Sequence, residues 1–178
     1  MEDKVKGWDL PIDSALDLVL RWCRKERAVD RLLLSARLGR GPKAKEAPIQ
    51  EVEDLVASLF GDRVLERKRA RRWPGSELME TDGIVFLVRF DETLIEPMSN
   101  AGGRLSDWSH RDSPRLPEDP CLYREGDPWP VLVSVTHERD AWILHPERPP
   151  FCTGEPFDFK PENLMVPTAA EGFVGRWN

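Results

Sequence analysis

WPVLVSVTHERDAWILHP, residues 129–146, reads as two short strands joined by a polar turn. Val131, Val133 and Val135 alternate with Leu132, Ser134 and Thr136, which gives one fully apolar face and one partly apolar face. Beyond the turn His137-Glu138-Arg139-Asp140, Trp142 and Leu144 alternate with Ala141 and Ile143. Pro130 and Pro146 bound the pair, because proline has no N–H to donate to a ladder. The segment predicts an antiparallel hairpin. An isolated hairpin is marginal in water, so other segments must extend it and cover it.

Working outward, Ile84-Val85-Phe86-Leu87-Val88-Arg89-Phe90 is a nearly continuous apolar run of strand length, suited to a central strand covered on both faces. Between it and the hairpin, residues 97–128 show no period and carry Pro97, Gly102-Gly103, Pro114, Pro117, Pro120 and Pro128. They read as a long loop pinned by Leu105, Trp108, Leu116 and Tyr123. After Pro146 the chain is again proline-rich, with an edge strand expected at Asn163–Val166 and Trp177 expected to dock.

The N-terminal third has a different rhythm. Ile12, Ala15, Leu16, Val19, Trp22 and Cys23 recur every three or four residues, and Val29, Leu32, Leu33 and Ala36 resume the stripe after Lys25-Glu26-Arg27. This predicts helix over about 12–38, bent or broken near Glu26. Gly39–Ala47 reads as a loop, and Pro48 opens a second stripe through Ile49, Val52, Leu55, Val56, Leu59 and Phe60. The fold class is therefore α+β, with N-terminal helices at about 12–38 and 48–60 packed on a mostly antiparallel sheet. That sheet is expected after residue 62, with long Pro-rich loops, in a single domain over 1–178 whose helical part is about 11–61.

The chain has 178 residues, 33% of them charged, with seven Trp and seven Phe, enough apolar mass for a packed core. Its net charge of −6 is lopsided: residues 1–74 carry 17 basic against 13 acidic side chains, residues 75–178 carry 9 against 19. Cys23, Cys121 and Cys152 are scattered, with no CxxC pair, and read as reduced thiols. The N-terminus lacks a signal-peptide pattern and no apolar run approaches the ~20 residues of a membrane span, so a cytoplasmic protein is expected.

Three readings of function follow. In the first, Trp108, Tyr123 and Trp129 lie among Glu125, Asp127, Glu138 and Asp140, forming an acidic, aromatic-bearing surface of an interaction module of the inhibitor, immunity-protein or adaptor type. Its partner would be a basic protein. In the second, the run Arg67, Lys68, Arg69, Arg71 and Arg72 with Trp73 neutralises phosphate and stacks a base, though an acidic chain disfavours a dedicated nucleic-acid binder. In the third, Asp107–Asp112 is a loop-borne catalytic site with Ser106, Ser109 and His110 as ingredients. No GxSxG turn surrounds these serines, HExxH is absent, and His145-Pro146-Glu147 lacks the paired cysteines of a zinc deaminase. Convergence of His110, His137 and His145 on a metal, and a nuclease-type pairing of Asp82 with Asp158-Phe159-Lys160, have no fixing spacing. No cofactor site is expected.

Overall fold

The computed structural model describes residues 4–37, 47–78, 82–109 and 116–159. In chain order the elements are β1 (Val5–Asp9), α1 (Leu16–Arg27), β2 (Arg31–Arg37), α2 (Ala47–Phe60), β3 (Val64–Ala70), β4 (Arg72–Trp73) and β5 (Ser76–Glu77). They are followed by β6 (Gly83–Arg89), α3 (Ile95–Ala101), β7 (Glu118–Tyr123), β8 (Leu132–Val135), β9 (Asp140–Leu144) and β10 (Thr153–Phe159). Eight strands form one antiparallel sheet in the order β10-β1-β9-β8-β7-β2-β6-β3, and β4 with β5 makes a separate small hairpin. The fold is α+β and mostly sheet. None of the helices among the described residues is long and apolar enough to cross a membrane.

The opening hairpin is β8–β9, registered Val133 on Trp142 and Ser134 on Ala141. It sits inside the sheet, flanked by β7 and β1. Period-two alternation divides its side chains between two cores. Leu132, Ala141 and Ile143 join Leu32, Leu34 and Ala36 of β2 and Ile84, Phe86 and Val88 of β6. Against that face pack Leu16, Val19, Leu20 and Cys23 of α1, Val52, Val56 and Phe60 of α2, and Ile95 and Met98 of α3. On the opposite face Leu33, Val85, Cys121 and Tyr123 pack with Ala70 and Trp73. Val133 and Leu144 form a third cluster there with Trp129, Trp142 and Phe159. The β4–β5 hairpin lies on this second face. Its Gly75 has φ +81°, and an added Cβ would meet Val135 at 2.9 Å, so the turn needs glycine for both conformation and room.

Helix over 12–38 holds only as far as Arg27. Ala28 turns left-handed at φ 49° with its N–H on the Arg24 carbonyl, and the chain re-enters as β2 between β6 and β7. Leu32, Leu33, Leu34, Ser35 and Ala36 are all buried, which a strand covered on both faces achieves and a one-sided helix does not. The sheet is accordingly not confined to residues after 62, since β1 and β2 precede that point. The stretch 97–128 also contains more structure than its composition predicts: α3 ends at Ala101, and Glu118–Tyr123 is a buried interior strand despite Pro120. The sheet accommodates that proline with an irregularity between Leu33 and Ser35 on β2, opposite Asp119, whose φ is 54°. The predicted strand at 163–166, the docking of Trp177 and the loop at 39–46 lie outside the described residues.

Candidate functional site

The antiparallel order places the C-terminal end of β2, the start of β7 and the β8–β9 turn together at one end of the sheet. Glu118 is fully buried there and receives Arg37 bidentately, Nε to Oε2 at 2.9 Å and Nη2 to Oε1 at 3.2 Å. Next to it the Asp119 carboxylate, also buried, is an acceptor hub. Oδ2 accepts the Trp73 indole N–H at 2.8 Å and the Ser76 hydroxyl at 3.4 Å. Oδ1 accepts the Thr136 N–H at 2.8 Å, and the Thr136 hydroxyl donates to the Trp108 carbonyl at 2.6 Å. Nδ1 of His137 stands 3.6 Å from Asp119 Oδ1, an ion-pair distance rather than a hydrogen bond. The Asp119 carboxylate raises the His137 pKa above its ordinary value against the opposing effect of burial.

Glu118, Asp119 and His137 bring three potential ligand atoms within 4.8 Å of one another. The two carboxylates are already engaged, whereas the buried His137 Nδ1 has no hydrogen-bond partner among the described residues. Both Glu118 oxygens face the Arg37 guanidinium, and both Asp119 oxygens face N–H donors. A divalent cation would have to compete with the Arg37 guanidinium and with the hydrogen bonds that tie β7 to the β4–β5 hairpin and the β8–β9 turn.

The sheet's other end is open. The start of β1, the C-terminus of α1, the β7–β8 connection and the end of β9 line a groove of about 540 Å³. Trp129, Leu144 and Pro146 give it an apolar surface, and Lys6, Arg27 and Asp127 are its charged members without an ion pair among the described residues. Lys4 also lines it but is held by Asp158 at 3.1 Å. His145, at the rim, packs edge-on against Trp22 with ring centroids 5.2 Å apart.

The residues singled out by sequence divide sharply. Trp108 is fully buried and donates to the Gly102 carbonyl at 3.1 Å, and Tyr123 is fully buried as well. Neither can anchor a partner. Glu125 is held by Arg31 at 3.2 Å. Asp127 and Trp129 belong to the groove, whereas Glu138 and Asp140 are exposed at the opposite end of β9. The acidic, aromatic set is therefore not one surface.

The basic run lies on edge strand β3, the bend at Arg71 and strand β4, largely matched by internal acids. Arg67 pairs with Glu53, Arg69 and Arg71 lie 3.9 and 2.8 Å from Asp82, and Arg72 lies 3.7 Å from Glu77. Lys68 has no ion pair among the described residues. Trp73 is 2% exposed with its N–H spent on Asp119, so it offers no face for a base.

Of the loop-borne catalytic set, Ser106 donates to Asp13 at 2.8 Å and Ser109 is buried, while His110–Ser113 lie outside the described residues. His137 and His145 flank opposite ends of β9, and Asp82 and Asp158 lie toward opposite edges of the sheet. Burial holds all three cysteines as free thiols with raised pKa, Cys152 to about 12, so none is a ready nucleophile.

Sequence reasoning passed over Lys6, Arg27 and Arg37 as site residues. None belongs to a motif, and each acquires a role only through topology. No family model, no curated protein and no solved structure gives a significant match to the chain.

Proposed function

We propose that this chain is a protein-interaction module that receives a segment of its partner in the groove between β1, α1 and the β7–β8 connection. One observation carries the reading: Lys6 and Arg27, which have no ion pair among the described residues, line an open concave surface with Trp129 and its flanking prolines. Most cations of the basic run are instead matched within the protein. Aromatic and arginine side chains are the residue types that carry interface energy, and unmatched charge at a rim steers encounter. The surface is open rather than enclosing. Small-ligand sites cover roughly 70–90% of what they bind, and this groove is better suited to part of a larger molecule. The partner surface is thus relocated from the dispersed acidic set to one end of the sheet, keeping Asp127 and Trp129 from the original group.

The reading is tested by photo-crosslinking in the native host. A crosslinking residue at Asp127 is expected to trap one partner, and the same residue at Glu138, at the far end of β9, is expected to trap none. Equal trapping from both positions, or trapping from Glu138 alone, would sink the proposal.

A further inference from the structure

We infer that the groove selects an extended, acidic polypeptide segment, with carboxylates meeting Lys6 and Arg27 and an apolar side chain lying on Trp129. The inference rests on the interaction reading above. Its charge argument is local. The protein is acidic overall, at −6, which would repel an acidic partner at long range. At physiological salt, however, fields of exposed charges are screened beyond about 8 Å, so the groove's own side chains decide what docks.

Three features bring those side chains to a cationic balance. Lys6 lies across the β1–β10 ladder from Asp158, but the Asp158 carboxylate is bound to Lys4 at 3.1 Å. The Lys6 ammonium is thereby left to the groove. Arg27 is the last residue of α1 and no carboxylate among the described residues pairs with it. Against these two cations the groove holds, among the described residues, one carboxylate, Asp127, next in sequence to Pro128-Trp129-Pro130. The groove therefore combines two cations, an apolar ring and one carboxylate among its described lining.

Nucleic acid fits less well. A binder making roughly 6–10 phosphate contacts needs many more cations than two set beside a carboxylate.

Panning a phage-displayed random dodecapeptide library on the full chain tests the inference, with Lys6→Gln/Arg27→Gln and Trp129→Ala as comparison baits. Enriched peptides are expected to carry paired Asp or Glu residues near an apolar residue. As synthetic peptides they should bind at least tenfold more weakly to Lys6→Gln/Arg27→Gln and more weakly to wild type as salt rises. Peptides that need Trp129 but show no acidic enrichment, and bind Lys6→Gln/Arg27→Gln unchanged, would overturn the acidic selection while leaving the groove as an interaction site. No enrichment, or peptides that bind all three baits equally, would overturn both. Titration with a single-stranded oligonucleotide is the third arm. Binding lost in Lys6→Gln/Arg27→Gln would reassign the groove to nucleic acid and overturn the inference. Circular dichroism of each bait checks that the variants retain the fold.

Discussion

At the Arg37 end of the sheet, opposite charges meet inside the protein: Glu118 and Asp119 are buried and their oxygens are satisfied by a guanidinium, an indole and a backbone amide. At the Lys6 end, cations face a groove and two of them have no carboxylate among the described residues. The difference follows from desolvation. A charge taken out of water costs several kcal/mol unless it is paired and hydrogen-bonded, so a buried end must resolve its charges internally. A solvated end carries no such obligation, and charges left over there are available to another molecule. Clustering of ionisable groups is thus a poor guide to function in this fold. Whether the charges are already matched is the better one.

The comparison breaks most readily at Asp119. Asp119→Ala leaves the Trp73 indole N–H and the Thr136 amide without acceptors. Each orphaned buried donor costs about 1–3 kcal/mol, so a loss of about 3–5 kcal/mol is expected in urea denaturation. The backbone at φ 54° disfavours alanine but accepts asparagine, so Asp119→Asn should cost about half as much. A loss below about 1 kcal/mol for the alanine variant would remove the structural reading of this end.

Arg37→Met tests the neighbouring pair. Removing one partner of a fully buried pair costs about 3–5 kcal/mol, but the Arg37 side chain is 35% exposed, so about 2 kcal/mol is expected from thermal or chemical unfolding. Smaller again is the contribution of His137. Its folded pKa is raised by Asp119, so the associated stability is fully present below the unfolded imidazole value of about 6.5 and is lost as pH rises through the folded pKa. Wild type should lose stability between pH 6 and 8 by a margin that His137→Gln lacks, and the His137 ring resonance should titrate above the ordinary midpoint. The least effect on folding is expected at the groove. Lys6→Gln/Arg27→Gln should change stability by no more than about 0.5 kcal/mol, since neither side chain has an ion pair among the described residues. A larger loss would mean that the open end is also structural.

The parts of the fold visible in sequence are those where one physical signal acts alone. The β8–β9 hairpin shows its period of two, β6 its unbroken apolar run, and α2 its stripe after Pro48. Strand β2 was hidden because Leu32 and Leu33, good helix formers, fall on helical spacing with Val29 and Ala36. Only burial on both faces distinguishes the two. Strand β7 was hidden by Pro120, a residue that argues against an interior strand until the irregularity at Asp119 is seen. The sites were less legible still. Trp73, Trp108 and Tyr123 look alike as anchors and as core in a linear sequence, and burial makes them core. Arg37 meets Glu118 across 81 positions, and Lys6, Arg27 and Trp129 meet only because β1 is threaded beside β9.

That threading also sets a timetable. Strand β1 pairs with β9 and β10 and with no strand nearer in sequence. A chain emerging from the ribosome at about 5–20 residues per second therefore exposes Val5–Asp9 for about 7–27 s before Asp140–Leu144 is made. During that interval β2, β3 and β6 can already assemble under α1 and α2, while the future groove has one wall and no floor. The groove is among the last features to exist, and the growing chain cannot engage a partner there until the sheet has closed over β1.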